Sequence, residues 1–184
     1  VRDIAKKLGK KVKLEMDGGE TTLDKNMIEM LADPMIHIMR NSLDHGIEMP
    51  DVRSQKGKDS SGTVRLKAYA ESDRIMIEII DDGAGINTQR VAHKVLEKGL
   101  MTIEELDALT EDERAELVLL PGLSTAEEIT EFSGRGVGMD VVKKSIEGFG
   151  GTIKIKTKAN EGTVITLAIP VSLAVTSLLH IQMN

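Results

Sequence analysis

The chain of 184 residues has no cysteine and no tryptophan, and aromatic residues make up only 2 % of it. The lack of cysteine excludes disulfide bonds and thiolate metal sites. The scarcity of aromatic rings argues against a protein that binds single-stranded nucleic acid, since such proteins stack bases on Phe, Tyr or Trp. The core must therefore consist of aliphatic residues and methionine, and a hydrophobic content of 40 % is sufficient for one.

Excess positive charge and long apolar runs are also missing. The chain carries 24 basic and 30 acidic residues, a net charge of −6, which leaves no electrostatic footprint for nucleic acid. No apolar run approaches the ~20 residues of a membrane-spanning helix, and the N-terminal VRDIAKKLGKK lacks the apolar region of a signal peptide. We expect a cytoplasmic protein of one main domain, without nucleic acid and without direct membrane insertion.

Hydrophobic periodicity predicts an α/β domain. Alternation at period two predicts these strands: KVKLEM, TVRLKAYA antiparallel to RIMIEII, and the hairpin GTIKIKTKANEGTVITLAIP with the turn ANEG. Helical spacing predicts these helices: one ending near Leu8, one in LDKNMIEMLADP, one from an Asp33 cap with Pro34 at its first position to about Asp44 or His45, where Gly46 stops it, one over 87–99, and MDVVKKSIEGFG. The segment MPDVRSQKGKDSSG is expected to be a surface loop, 103–118 to be helical or irregular, and LLPGLSTAEEITEFSG to be a lid-like loop.

The segment HIMRNSLDH places His37, Asn41 and His45 on one helical face, which Arg40 and Asp44 flank. An ordinary solvated face is as good an interpretation of the periodicity, and zinc is a third, although two histidines eight residues apart make a weak site. The residue types favour ligand binding. Exposed helix faces are usually Glu, Lys and Gln, whereas His, Asn and Asp are poor helix formers and good ligands.

Two glycine-rich motifs follow. DDGAGI, at a predicted strand end, lets the backbone turn sharply against a flat ligand, although Asp and Gly are also common in simple turns. FSGRGVGMDVV brings glycines directly before a predicted helix, where backbone N–H groups bind anions and Arg135 adds a positive charge. It matches neither the Walker A nor the dinucleotide-binding spacing. A flexible hinge is the alternative, but the helix that follows at once argues against it.

Taken together, HIMRNSLDHGIE, DDGAGI, LLPGLST and SGRGVGMDVV resemble the GHKL nucleotide-binding superfamily, and most of all the catalytic domain of the CheA-type chemotaxis histidine kinases. The resemblance implies an α+β fold, a two-layer sandwich of a mixed, mostly antiparallel sheet with helices on one face. It also implies ATP and Mg²⁺ as cofactors. By the same resemblance, residues 10–169 are the kinase domain, 1–9 the end of a dimerisation helix, and 170–184 the start of a coupling domain.

The resemblance also implies roles for individual residues. Asn41 would coordinate Mg²⁺ together with His37, and these two would be the catalytic residues. Asp81 would accept the adenine amino group. The remaining nucleotide-binding residues would be Arg40, Asp44, His45, Gly83, Gly85, Ile86, Arg90, Lys94, Leu123, Ser124, Thr125, Ser133, Gly134, Arg135, Gly136, Val137, Gly138, Met139 and Thr163. The family lid commonly carries phenylalanine where this chain has Leu119 and Leu123.

The implied activity is transfer of the γ-phosphoryl group of ATP to a histidine on a separate phosphotransfer domain. Hydrolytic members of the superfamily carry Glu four residues before the Asn, at the position of His37 here, and a neutral imidazole suits an acceptor histidine better than water. The implied partners are that phosphotransfer domain, a second copy of the parent chain, and a coupling protein and chemoreceptor reached through neighbouring domains. A non-catalytic ATP-binding switch and a GHKL ATPase are the alternatives.

Overall fold

The computed structural model describes residues 2–18, 25–123 and 138–171. Five strands form one sheet in the order β1-β2-β3-β5-β4. β1 and β2 are parallel, and every other neighbouring pair is antiparallel. The strands are β1 (Val12–Asp17), β2 (Gly62–Glu71), β3 (Arg74–Asp81), β4 (Thr152–Lys158) and β5 (Gly162–Pro170). The prediction of a mixed, mostly antiparallel sheet is confirmed.

Seven α-helices occur in the described ranges, and none of them is long and apolar enough to cross a membrane. They are α1 (Arg2–Lys7), α2 (Lys25–Asn41), α3 (Pro50–Gln55), α4 (Thr88–Glu97), α5 (Ile103–Asp107), α6 (Glu111–Glu116) and α7 (Met139–Gly148). A π-helical turn (Ser42–Gly46) continues α2, and a 3₁₀ turn (Leu117–Leu119) follows α6.

The core lies on one face of the sheet. In β3, alternate side chains are buried, beginning with Ile75 and Ile77, as a strand with one covered face requires. These side chains belong to the same buried cluster as Ile38 of α2 and Ile146 of α7. Burying each such side chain contributes about 1.5–3 kcal/mol. The two-layer arrangement of the prediction is therefore confirmed.

Helix α2 corrects one prediction, because the expected helix start at Asp33 is wrong. The helix runs without interruption through Pro34, which lies inside it and is buried. Proline in a helix interior costs about 3 kcal/mol, since a backbone hydrogen bond is lost. Met27, Leu31 and Ile38 form one buried stripe with Pro34 at helical spacing, and packing of that stripe against the sheet outweighs the cost of the proline.

The segment predicted as a surface loop is also different in the structure. Residues 50–55 form α3, with Pro50 at its start, and Arg53 of this helix is buried. The expected helical or irregular stretch over 103–118 contains α5 and α6, each begun by a capping box, at Thr102 and Thr110. Of the proposed domain divisions, 172–184 lies outside the described residues, and the division itself stays a prediction.

Helix α6 covers the β4 edge of the sheet. Asp112 and Glu116 are one helical turn apart, and their carboxylates accept hydrogen bonds from the backbone N–H groups of Thr157 and Ile155 in β4, at 3.2 and 3.3 Å. A strand edge with unpaired N–H groups invites association with other chains. The two carboxylates satisfy these groups and fix the strand that forms one wall of the cavity described below.

Candidate functional site

A cavity of about 510 Å³ opens between the end of α2, the end of β3 and helix α4. A volume of this size suits a small-molecule ligand. It is lined by Asn41, Ser42, His45, Gly46, Asp81, Ala84, Gly85, Ile86, Asn87, Arg90, Val91, Lys94, Val118, Leu123, Met139, Ile155, Thr163 and Ile165.

The π-helical turn brings the end of α2 to the cavity. The N–H of Ile47 bonds the carbonyl of Ser42 at 2.7 Å, which closes the wider turn. The Lys10 ammonium donates to the carbonyls of Leu43 and Asp44, both at 2.7 Å. A cation at the carbonyl end of a helix is favourable. Lys10 thus holds the turn that directly follows Asn41 and carries His45.

Asp81 is the buried acid of the cavity and ends β3, with 5 % of its surface exposed. Burial raises the pKa of its carboxyl group, an effect that hydrogen bonds from the Gly83 N–H, the Ser42 side chain and the Thr163 backbone partly offset. The Gly83 N–H lies 3.0 Å from Oδ1. A buried carboxylate that is hydrogen-bonded along one side has its remaining lone pairs available to a ligand donor.

The turn after Asp81 packs too closely for side chains at two glycines. A Cβ at Gly83 would lie 2.2 Å from the carbonyl oxygen of Gly46, and a Cβ at Gly162 would lie 1.9 Å from that of Asp81. The Ala84 N–H bonds the Gly46 carbonyl at 2.8 Å. Gly83 therefore does not line the cavity; it lets the strand end and the π-helical turn meet behind Asp81.

The rest of this loop is tied to the β4–β5 hairpin. Gly85 adopts φ +76°, which favours glycine. The N–H of Ile86 donates to Oγ1 of Thr157 at 2.8 Å, and the N–H of Asn160 donates to the Ala84 carbonyl at 2.8 Å. The hairpin and the loop therefore form one wall of the cavity.

Helix α4 brings two cations to the cavity. Asn87 caps the helix by accepting from the Arg90 N–H at 2.9 Å, and Arg90 and Lys94 follow one helical turn apart. Among the described residues, neither side chain has an ion-pair partner. The cavity therefore has a buried acid on one side and uncompensated positive charge on another, a combination that suits a ligand with a base and an anionic group.

His37 lies one helical turn before the cavity and does not line it. The side chain is half-buried, and burial lowers its pKa, with Arg40 adding to the effect and Asp140 of α7 opposing it. The imidazole is therefore held neutral at pH 7. Arg40 and Asp44 are half-buried and likewise outside the lining.

The start of α7 forms another part of the site. Gly138 is the N-cap of the helix, and no side chain in the described ranges caps it. Met139 lines the cavity, and its Sδ lies 3.0 Å from Nδ2 of Asn41. The predicted site residues in the preceding loop lie outside the described residues: Ser124, Thr125, Ser133, Gly134, Arg135, Gly136 and Val137.

The two leucines at the family's lid phenylalanine positions have different surroundings. Leu119 is buried in the main core, whereas Leu123 belongs to a smaller cluster around Val95 and also lines the cavity. Leu123 is therefore the one of the pair that can contact a ligand.

Sequence reasoning missed several lining residues. Some could have been found: Ile155 and Ile165 are paired directly across β4 and β5, and Asn87 is a cap residue before a helical pattern. Ser42 and Gly46 could not be found, because a regular helix stopped by Gly46 was expected here in place of the π-helical turn. Val91, Ala84 and Val118 carry no distinguishing signal.

Asn41 is the residue through which a metal ion could be held. No group of three or more His, Cys, Asp or Glu side chains in the described part of the chain could hold one. A magnesium ion bound with a nucleotide needs only one or two protein oxygens, because phosphates and water supply the others. The amide oxygen of Asn41 at the cavity wall fits that need.

A sequence profile described as histidine kinase-, DNA gyrase B- and HSP90-like ATPase matches residues 30–173, which include every cavity residue. The chain belongs to this family. The match covers most of the chain and includes strands β2, β3, β4 and β5.

Curated relatives are chemotaxis proteins. The chain is 43 % identical over 184 residues to the chemotaxis protein CheA of Bacillus subtilis, covering all of this chain and 27 % of that protein. It is 47 % identical over 175 residues to CheA of Salmonella typhimurium, covering 95 % of this chain and 26 % of that protein. The chain spans about a quarter of the length of these relatives.

A solved structure supports the fold. The histidine kinase domain of a blue-light activated histidine kinase from Erythrobacter litoralis aligns with a TM-score of 0.53 at 16 % identity, over 93 % of this chain and 61 % of that one. At this identity the likeness shows the fold alone, and it agrees with the predicted sandwich.

Proposed function

We propose that this chain is the ATP-binding catalytic domain of a chemotaxis histidine kinase, which transfers the γ-phosphoryl group of ATP to a histidine on a separate phosphotransfer domain. The family membership and the similarity to CheA support this proposal. The observation that carries it is the cavity itself, with the buried Asp81 carboxylate and the cations Arg90 and Lys94 around one space.

Asp81 is the base-recognition residue of this proposal. The adenine amino group donates to its carboxylate, while Ile165 and Ile86 pack against the ring. A keto oxygen at the same place, as in guanine or hypoxanthine, would face the carboxylate instead of donating to it. A site built to pair with a donor rejects ligands that lack it, because its buried acceptor is left unsatisfied.

Positive charge and backbone amides hold the phosphates. Arg90 and Lys94 supply charge from α4, and the uncapped start of α7 supplies N–H groups and the positive end of the helix dipole. The glycines of SGRGVG precede this helix start in the sequence, and we assign them to the same phosphate contacts. Leu123, Ser124 and Thr125 belong to the lid.

Asn41 would hold a magnesium ion through its amide oxygen, and that ion would supply neutralisation of the charge that develops on the phosphates. A ring nitrogen of the acceptor histidine attacks the γ-phosphorus, the bond to the β-phosphate oxygen breaks, and ADP leaves. His37, kept neutral by burial, accepts the proton that the acceptor imidazole loses.

The partners follow from the same proposal. The acceptor is a histidine-containing phosphotransfer domain of the same or a partner kinase chain. A coupling protein and a chemoreceptor contact neighbouring domains of the parent protein, which we expect to be a homodimer.

A transfer assay tests the function. The chain is mixed with labelled Mg-ATP and a phosphotransfer domain, and acid-labile phosphohistidine is measured on that domain. Label on the acceptor, with little phosphate release and no label on the chain itself, is the expected result. Rapid phosphate release without acceptor would indicate an ATPase instead, and ATP binding without transfer would indicate a switch.

A further inference from the structure

An ion cluster around a buried arginine lies behind the turn that follows β3, outside the cavity. We call it the Arg53 cluster; it consists of Glu48, Arg53, Lys58 and Asp82. Arg53 is only 1 % exposed. Its Nη1 lies 3.1 Å from Oε2 of Glu48, and its Nη2 lies 3.0 Å from Oδ2 of Asp82. None of the four residues lines the cavity.

The cluster holds the backbone of the turn as well as its side chains. Nη1 of Arg53 donates to the Asp82 carbonyl at 3.1 Å. Nζ of Lys58 donates to the carbonyls of Asp82 and Gly83, at 2.8 and 2.6 Å. The carboxylate of Asp82 also accepts from the Thr63 N–H at 2.8 Å, which ties it to β2. Two cations thus restrain two successive carbonyl groups.

These carbonyls belong to the peptide units whose N–H groups face the site. The Gly83 N–H bonds Oδ1 of Asp81, and the Ala84 N–H bonds the Gly46 carbonyl. A peptide unit is planar, so a restraint on the Asp82 carbonyl is a restraint on the Gly83 N–H, and the Gly83 carbonyl restrains the Ala84 N–H in the same way. The Arg53 cluster therefore fixes the orientation of the Asp81 carboxylate from behind.

Stability alone is a weak reason for such a cluster. Burying charges costs several kcal/mol per ion, and hydrophobic replacements of buried ion pairs are often neutral or stabilising. What a hydrophobic replacement cannot supply is directed donors to the two carbonyls. The placement of these donors against the turn is the property that distinguishes this cluster.

We propose that Arg53 and Lys58 are positioning residues that set the base selectivity of the cavity, by holding the 82–84 turn so that Asp81 faces the exocyclic amine of adenine. This inference rests on the proposed function, since it assumes that Asp81 recognises the base. Loss of either cation frees the turn to rotate and lets the carboxylate turn away from the amine. Affinity for ATP then falls more than affinity for ITP, whose hypoxanthine base has no amine to donate.

Calorimetric titration of the chain with Mg-ATP and Mg-ITP measures the selectivity. The variants are Arg53→Met, Arg53→Lys, which keeps the charge but loses the planar guanidinium group, and Lys58→Met, which replaces a side chain more exposed than that of Arg53. The control is Arg65→Met, because Arg65 binds Oε2 of Glu15 through Nε and Nη2, at 2.8 and 2.6 Å, away from the cavity.

We expect the ATP dissociation constant to rise on the order of tenfold in Arg53→Met and Lys58→Met, as for loss of a charged hydrogen bond. The ratio of ITP to ATP dissociation constants should fall, and Arg53→Lys should lie between. Arg65→Met should match the wild type. Folded cluster variants with an unchanged ratio would overturn the inference while leaving the proposed function intact. Failure of the wild type to bind ATP would refute the proposed function instead.

Hydrogen exchange without nucleotide supplies a readout that does not depend on the function. The Gly83 and Ala84 amides should exchange faster in the cluster variants, while amides of the β4–β5 hairpin keep their wild-type rates. Unchanged protection at Gly83 and Ala84 would refute the positioning role. Faster exchange throughout the sheet would show general destabilisation and would also overturn the inference.

Discussion

Replacing Gly83 with alanine adds one methyl group where the turn after β3 meets the π-helical turn. The new Cβ would lie 2.2 Å from the carbonyl oxygen of Gly46, 2.4 Å from its carbonyl carbon and 2.9 Å from Oδ1 of Asp81. The two shortest contacts are with backbone atoms, so no change of rotamer relieves them. Gly83 does not have a positive φ, so the effect tests packing and not backbone conformation.

The expected loss of stability and of phosphotransfer rate follows from the distance by which the backbone must move. The strand end and the π-helical turn must separate by somewhat more than ~1 Å to turn the 2.2 Å separation into an ordinary van der Waals contact. Overpacking of this kind costs about 1–3 kcal/mol, and loss of the Ala84 to Gly46 hydrogen bond adds about 1 kcal/mol. Because Asp81 and Asn41 lie on opposite sides of this contact, a ~1 Å shift should lower the phosphotransfer rate about a hundredfold.

Gly148→Ala is the matched control. A Cβ there meets open space, its φ is not positive, and the residue lies in α7. Alanine is favoured over glycine in helices by about 0.5–1 kcal/mol, so this variant should be slightly more stable. Urea unfolding followed by far-UV circular dichroism measures both variants. Gly83→Ala with the stability and ATP affinity of the wild type would refute the close contact between this position and the Gly46 carbonyl.

Three further predictions concern the chemistry of the site. Burial raises the pKa of Asp81 in the folded state above its unfolded value of ~3.9. Protonation of Asp81 therefore stabilises the fold fully below the unfolded pKa, and this stabilisation is lost as the pH rises through the folded pKa. Urea unfolding across this pH range should show a decrease in the free energy of unfolding of the wild type, and a smaller decrease in Asp81→Asn. Equal pH dependence in the two proteins would contradict the raised pKa. Asn41→Asp should keep the fold but change the Mg²⁺ dependence of ATP binding, measured by calorimetry at several Mg²⁺ concentrations; an unchanged dependence would remove Asn41 from metal binding. His37→Gln should lower phosphotransfer on the order of a hundredfold, as for a general base, with an unchanged ATP dissociation constant, and full transfer would exclude that role.

The sheet could be predicted because its strands satisfy one simple requirement. Where a strand has one covered face, buried and less buried side chains alternate, as they do along β3 and most of β4. The same requirement explains the failure at Asp33. Local chemistry there favours a helix start, but the apolar stripe from Met27 to Ile38 runs through Pro34, and tertiary packing decides.

The arc that joined His37, Asn41 and His45 assumed one regular helix. The π-helical turn winds less per residue, so the cavity is lined at 41, 42, 45 and 46, the spacing of residues stacked across a wider turn. His37 belongs to the regular part of α2 and does not line the cavity. A register change of this kind depends on the Ile47 to Ser42 hydrogen bond and on Lys10, which is more than thirty residues away in sequence.

The Arg53 cluster could not be predicted from the sequence for a different reason. Arg, Lys, Asp and Glu in a polar segment are expected on the surface, because charged residues are almost never fully buried unless they are paired. Arg53 pairs with Glu48, five residues before it, and with Asp82, 29 residues further along, and no periodicity in 49–62 indicates the second pair. The first aspartate of DDGAGI was noticed as a ligand, whereas the second holds the turn. In such a turn the residue that contacts the ligand can be predicted from its motif. The residues that orient it can be identified only from the structure, which brings the α3 segment against DDGAGI.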